Sequence, residues 1–574
     1  MRVDLVIRGG TIVDGSGGKA FAGDVAVKDG RIVAVGPLDG VDCSAAEVLD
    51  ATGCHVTPGF VDIHTHYDGQ AIWSDRLRPS TDHGVTTVVI GNCGVGFAPC
   101  RADDRDALIG LMEGVEDIPG VVMAEGLDWN WESFAEFLGA IEARPHDCDI
   151  GAYLPHSPLR VYVMGERGIA REEATADDLQ EMRRLAAEAI EAGALGCATS
   201  RLFFHRTAQG ELIPTFNASE DELDALAGAI DDAGGGILQL VPNFENPDPT
   251  DEVRLIMRVA ERHRVPATFT GTSGPEPKIL AKLLDNAKKQ GASLTAQLFP
   301  RPIGMVLGLG VSWNPFSFCD SFAEIAHLDA AERAERMRDP ALRARILGEQ
   351  PDFVRFPLAR QTRNFARMYP IGPDFNYEPA PEDSVASRAE ARGVSAATEA
   401  YDLLLANEGA SLMLVAMGNY SDGTLDPVRS LLEHPATVLG LGDGGAHYAL
   451  ICDASYPTTV LTHWVRDRDR GRIALETAIH ELSRHPAEVV GLCDRGLLRE
   501  GFKADINVID LANLSLQMPE PIADLPAGGR RLMQTASGYR ATILSGQVTY
   551  RDGNPTGSLP GTLVRGRQEA ASTH

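Results

Sequence analysis

Basic residues are in short supply. The 574-residue chain carries 52 Lys and Arg against 81 Asp and Glu, a formal charge of −29 with histidine neutral. No long block of one sign concentrates that charge, so a partner bound through its phosphate backbone is not expected. Cysteine is sparse as well. Nine, an odd number scattered over the length, do not make a secreted disulfide framework and fit a reducing compartment. No stretch of about 20 apolar residues is present to span a bilayer, and Asp4 and Arg8 flank Leu5–Ile7 too closely for a signal-peptide core. The 59 glycines and 34 prolines are spread out, which indicates many tight turns between regular elements. These absences leave a cytoplasmic enzyme or scaffold with neither nucleic acid nor membrane as partner. A homo-oligomer stays open.

What is present falls into three textures. Residues 1–58 alternate short β-branched runs (Leu5–Ile7, Thr11–Val13, Asp24–Val27, Arg31–Val35) with turn pairs such as Asp14-Gly15 and Asp29-Gly30, a string of hairpins. Residues 59–490 alternate apolar strands with helical stretches. Eight strands are expected there: Phe60–His64, Thr86–Ile90, Asp149–Leu154, Leu195–Thr199, Gly236–Val241, Pro266–Thr270, Ser293–Phe299 and Thr437–Leu441. Thr175 opens one intervening helix, and Ser219 with Glu222 forms a capping box ahead of Leu223, Leu226 and Ile230. Eight strands with interleaved helices match an α/β fold of the closed (β/α)8, TIM-like type better than an open sheet. Residues 491–564 return to hairpins, so both chain ends are expected to pair into a small β-sandwich domain, followed by a polar tail over 565–574.

The interval 301–407, between the seventh and eighth strands, is too long for a plain connection. Helices are expected at Asp329–Arg338 and Ala341–Leu347, broken by Pro340. At the carboxyl ends of barrel strands such an insertion reads as a lid or recognition element, or equally as a surface elaboration.

Chemistry concentrates at strand ends. His64 and His66, two apart after an apolar strand, point the same way and suit one metal ion. Cys93 lies between Gly91 and Gly94 after the second strand, where a thiolate can meet a borderline metal; taken alone it is as readily a buried structural cysteine. Asp443, in Gly440-Leu441-Gly442-Asp443-Gly444-Gly445, follows the eighth strand; it can ligate the ion and carry a proton, or simply make an Asp-Gly turn.

Together Pro58-Gly59-Phe60-Val61-Asp62-Ile63-His64-Thr65-His66, Gly91-Asn92-Cys93-Gly94 and the Asp443 segment resemble the amidohydrolase superfamily, in its N-acyl-D-amino-acid deacylase (D-aminoacylase) branch. The likeness runs along nearly the whole chain, through Arg484-His485-Pro486-Ala487 to the return strand at Ala504-Asp505. It implies hydrolysis of a carbon–nitrogen amide bond in a small molecule, with Cys93 as a metal ligand and Asp443 as the proton shuttle. One feature departs from that pattern. The fifth and sixth strands, which end in zinc-binding histidines in the family, here offer Gln239 and Thr270, feeble ligands. One ion, Zn2+ or another divalent metal, held by His64, His66, Cys93 and Asp443, is therefore favoured over two.

The missing histidines widen the substrate to N-acyl-D-amino acids, related N-acyl or aryl amides, cyclic amides or imides, and lactones; a non-catalytic barrel scaffold is the reading from another class. His156, Arg160, Arg201 and Arg301 follow expected strands and are candidates to bind a carboxylate or an oxyanion, or are ordinary ion-pair residues. His447 is a candidate donor, supporting residue or ligand. Phe203, Phe204, Trp313, Phe316 and Phe318 suit an apolar acyl pocket or a core. The acidic net charge mildly favours a neutral amide unless local arginines reverse the field.

Overall fold

The computed structural model describes residues 2–566 apart from Ala45, Pro249, Pro275, Glu276 and Arg355. All eight expected strands form, each within two residues of its expected bounds: Phe60–Asp62, Val85–Ile90, Asp149–Ala152 continued by Leu154–Pro155, Gly196–Ser200, Ile237–Val241, Ala267–Thr270, Leu294–Leu298 and Thr437–Leu439. They pair in parallel in chain order. Closure between the last and first strands comes just beyond their ends, where Asp443 N–H donates to the His64 carbonyl at 3.0 Å. The strands are apolar on both faces because helices cover the outside and side chains fill the inside.

The helices form for the expected reasons, with one difference. Thr175 and Asp178 make a reciprocal capping box at the start of Ala176–Glu191. Ser219 caps Glu220–Asp232 by accepting from the Glu222 N–H. The Glu222 carboxylate does not reach back to the cap: it turns inward, because the buried Arg160 guanidinium offers a stronger, charged partner, with His156 beside it.

Strands from both chain ends join one nine-stranded sheet, in which Ile506–Ile509 lies antiparallel to His55–Pro58. Pairing is continuous across this sheet, and two short antiparallel pairs, Ser515–Leu516 with Ala536–Ser537 and Glu520–Ile522 with Arg531–Met533, lie outside it. The runs at Leu5–Ile7 and Thr11–Val13 merge into a single strand, Leu5–Ile12, with an irregularity between Ile7 and Gly10. Barrel and returning chain are tied by charge. Fully buried Asp149 accepts from Arg495 and Lys503, each at 2.6 Å. Of the expected tail, all but Arg565 and Gly566 lies outside the described residues.

The long interval folds as a unit. Helices Ala330–Met337 and Pro340–Gly348 appear as expected, with Pro340 in the first turn where its missing N–H costs nothing. Strands Ile303–Gly308 and Met368–Ile371 pair with Leu412–Gly418, so the unit extends past residue 407. It has its own core around Phe316, Met337, Ile346 and Tyr401.

Candidate metal centre and catalytic cavity

The barrel's carboxyl end opens into a cavity of about 900 Å3. His64, His66, Cys93 and Asp443 all line it. Donor atoms of His64, His66 and Cys93 lie within 4.8 Å of one another. His64 Nε2 is 3.3 Å from Cys93 Sγ and 3.5 Å from Asp443 Oδ1; His66 Nε2 is 3.7 Å from each.

The backbone explains why these four meet. Gly91 has φ +78°, and a Cβ there would lie 2.2 Å from the Tyr153 carbonyl; this tight turn carries Cys93 back over the barrel. A Cβ on Gly442 would lie 2.0 Å from Asp62 Oδ2, so only glycine lets the eighth strand approach the first and deliver Asp443 beside the histidines. Cys93, Asp443 and His447 themselves hold positive φ, a conformation that surrounding structure must impose.

The charge states suit a metal. Burial holds His64 down at about 4 and His66 well below its usual range, so both imidazoles are neutral. Gln297 Oε1 accepts from His64 Nδ1 at 2.6 Å, which leaves the Nε2 lone pair for a ligand. Burial pushes the Cys93 thiol, the Glu116 carboxyl and the Asp443 carboxyl far up, and each of Cys93 and Glu116 also feels the other acids. Among the described residues no Lys or Arg pairs with any of the three. A divalent cation is the charge that completes this set, and two imidazoles, a thiolate and a carboxylate are a zinc-type donor set.

The structure brings His447 to the cavity and adds residues that the sequence reading missed. His447 Nε2 is 3.5 Å from Glu116 Oε2, while Glu116 Oε1 is 3.5 Å from His66 Nδ1. Glu116, 1% exposed, thus stands between a metal-side histidine and a cavity-side one. His205 also lines the cavity, with Nδ1 2.9 Å from Ser200 Oγ. Gln297 carries a sequence signal, a polar residue in an apolar strand; Glu116, at the end of helix Arg105–Glu116, carries none. Gln239 is fully buried with both amide atoms unpartnered, and Thr270 lines the cavity with a free hydroxyl.

Of the five residues expected to contact substrate, His447 lines the cavity and His156, Arg160, Arg201 and Arg301 do not. Arg160 and His156 are buried against Glu222 at 2.9 and 3.3 Å, and Arg201 Nε pairs with Glu252 at 2.9 Å. Arg301 spends its Nη atoms on Asp453 (2.8 Å), the Cys452 carbonyl and Ser455, under the Tyr377 ring. The three guanidinium charges are neutralised inside the protein, which is how a buried guanidinium is tolerated. Of the aromatics, Phe204, Trp313 and Phe318 face the cavity, the last two from the inserted unit; Phe316 packs on Tyr401 and Phe203 lies behind the wall.

Comparison with known proteins agrees with this geometry. Residues 47–550 match the amidohydrolase family. The chain is 26% identical to the N-acyl-D-aspartate deacylase of Alcaligenes xylosoxydans xylosoxydans, over 98% of this chain and 95% of that protein. It shares its fold with the crystal structure of D-aminoacylase (23% identity, TM-score 0.65, 98% of this chain and 100% of that one). It likewise shares its fold with N-acyl-D-glutamate deacylase of Bordetella bronchiseptica, solved with zinc and a phosphonate inhibitor (23%, TM-score 0.63, 98% and 100%). The match spans the barrel and both flanking strand sets, and the chain belongs to the amidohydrolase family, as a hydrolase of carbon–nitrogen amide bonds.

Proposed function

We propose that the cavity cleaves the amide bond of an N-acylated small molecule with one divalent ion, zinc by its donor set, held by His64, His66, Cys93 and Asp443. The observation that carries this reading is the convergence of those four side chains at the end of the barrel, two of them acids, with Glu116 beside them and no Lys or Arg paired with any of the three acids among the described residues. A bound zinc ion supplies Lewis-acid polarisation of a carbonyl and brings the pKa of a water molecule toward neutrality. Asp443, with its side chain 23% exposed to the cavity, takes the proton from the attacking water and returns it to the departing amine nitrogen. His64 and His66 stay neutral and hold position through Gln297 and Glu116. Phe204, Trp313 and Phe318 exclude water and receive the acyl side. In the same reading residues 59–490 are the catalytic unit, 301–407 form most of its lid, and 1–58 with 491–564 make the β-sandwich-type flank. Gln239 and Thr270, neutral oxygen donors, support one ion against two.

Metal analysis of the purified protein, alongside Cys93→Ala and Asp443→Asn, tests this. About one equivalent of zinc is expected, with hydrolysis within a panel of N-acetyl-D-amino acids, N-acetyl-L-amino acids and neutral anilides. A wild-type protein that neither binds zinc nor hydrolyses any of them after zinc or manganese addition would refute the proposal.

A further inference from the structure

One cluster of metal-type side chains stands apart from the cavity. His480, Glu481 and His485 each offer a donor atom, and the three donors lie within 4.8 Å of one another. None of the three lines the cavity. They belong to helices Leu475–Leu482 and Arg484–Val489, which pack against the loop after strand Leu5–Ile12.

On one unbroken helix these side chains would not converge, because adjacent residues point about 100° apart and residues five apart about 140°. The chain instead breaks at Ser483, with φ −130° and ψ −75°. Pro486 has no N–H to continue the ladder to the Leu482 carbonyl. Ser483 Oγ donates to the Ile479 carbonyl at 2.5 Å and holds the break in place. Gly15 is pressed onto it: a Cβ there would lie 2.3 Å from the Gly496 carbonyl and 3.2 Å from Ser483 Oγ. The break turns His485 back toward His480, and the two rings stack with centroids 5.7 Å apart and planes 15° from parallel.

The donors are oriented for an ion. A carbonyl only accepts, so the Gly15 carbonyl, 2.9 Å from His480 Nδ1, fixes the proton there and leaves the Nε2 lone pair free. His485 Nδ1 donates to Glu481 Oε2 at 2.8 Å, a separation that a cation about 2.0–2.2 Å from each atom spans once the shared proton is displaced to solvent. Arg484, between them in the chain, does not take that place. It pairs with Glu488 at 2.5 Å and donates to the Cys493 and Arg495 carbonyls. Imidazole and carboxylate donors without a thiolate suit zinc, cobalt or nickel.

We propose that His480, Glu481 and His485 form a second, non-catalytic divalent-metal site, which fastens the Gly15 loop, and with it the sheet built from both chain ends, to the barrel helices. Three partly exposed ligands without a thiolate bind less tightly than the cavity set, so the site fills when metal is added, above the one equivalent expected of the purified protein. Its test does not depend on what the cavity hydrolyses.

Zinc-loaded protein is titrated with Co2+ up to about a tenfold molar excess, followed by absorbance and by thermal unfolding, in wild type, His480→Gln, Glu481→Gln and His485→Gln. Wild type is expected to take up one further equivalent with visible cobalt bands, with no sulfur-to-cobalt band in the near ultraviolet of the kind that binding beside Cys93 would give, and with a rise in Tm. Each substitution should weaken that equivalent by more than about tenfold and abolish the rise in Tm. Glutamine at 480 can still donate to the Gly15 carbonyl, and Glu481→Gln is isosteric at a partly exposed position, so the metal-free fold is retained, as circular dichroism would show. No further equivalent in wild type, uptake seen only with the sulfur-to-cobalt band, or a second equivalent that survives the substitutions at 480 and 485 overturns the proposal.

Discussion

Replacing Glu116 by glutamine tests whether the metal centre depends on a residue that touches no metal. Glu116 faces His66 Nδ1 and His447 Nε2, each at 3.5 Å, and its own carbonyl accepts from the His447 N–H. As a carboxylate 3.5 Å from both ring nitrogens it attracts their N–H groups electrostatically, which favours the His66 tautomer with a free Nε2 lone pair. Glutamine keeps the shape but has one acceptor oxygen, so its NH2 meets one of the two ring N–H groups as donor against donor. Two unit charges 3.5 Å apart interact by about 5 kcal/mol at an effective dielectric near 20, and an imidazole N–H carrying about a third of a charge retains about 1.5 kcal/mol. That corresponds to a loss of about tenfold in zinc affinity, the lower end of the range for residues that support a ligand. Competition against a chromophoric chelator reads the affinity directly, without turnover. Zinc binding by Glu116→Gln within twofold of wild type, while Cys93→Ala is clearly weakened, would refute the supporting role.

Other expectations follow from the same geometry. Asp443→Asn should lower kcat by about 10²- to 10⁴-fold on any hydrolysed amide while leaving the protein folded by circular dichroism, the loss expected for a proton shuttle. Asp149→Asn leaves the buried Arg495 and Lys503 with only Asp494 and Asp505, one carboxylate fewer for two cations, and should destabilise the fold by about 3 kcal/mol in urea unfolding; Asp149→Asn with Lys503→Met should recover part of it. Burial alone would raise the Asp149 carboxyl, but Lys503 and Arg495 hold it at about 2. Its stabilisation is therefore complete above its unfolded value near 4 and is lost as pH falls from there toward 2, so Asp149→Asn should flatten the acid-unfolding slope in that window.

The sequence carried much of the fold because barrel strands and helices announce themselves locally, through apolar runs, turn pairs and caps. It carried the residues proposed to hold the metal for a related reason: His64, His66, Cys93 and Asp443 each sit directly after a strand, and the residues around them set where they point. The charged candidates fared differently. Arg160, Arg201 and Arg301 also follow strands, but a long side chain is claimed by whichever carboxylate the tertiary fold places beside it, and Glu222, Glu252 and Asp453 come from 62, 51 and 152 residues away. Glu116 was illegible for the same reason, since its partners His66 and His447 lie on opposite sides of it in the chain.

The amino-acid sequence by itself thus determined the barrel, its length of insertion and the four metal-directed side chains, all properties of local pattern. Only the tertiary structure decided which arginines keep a carboxylate partner. Whether a guanidinium is neutralised depends on through-space distance to acids: Arg201 meets Glu252, while Arg206, five residues on, meets no described carboxylate.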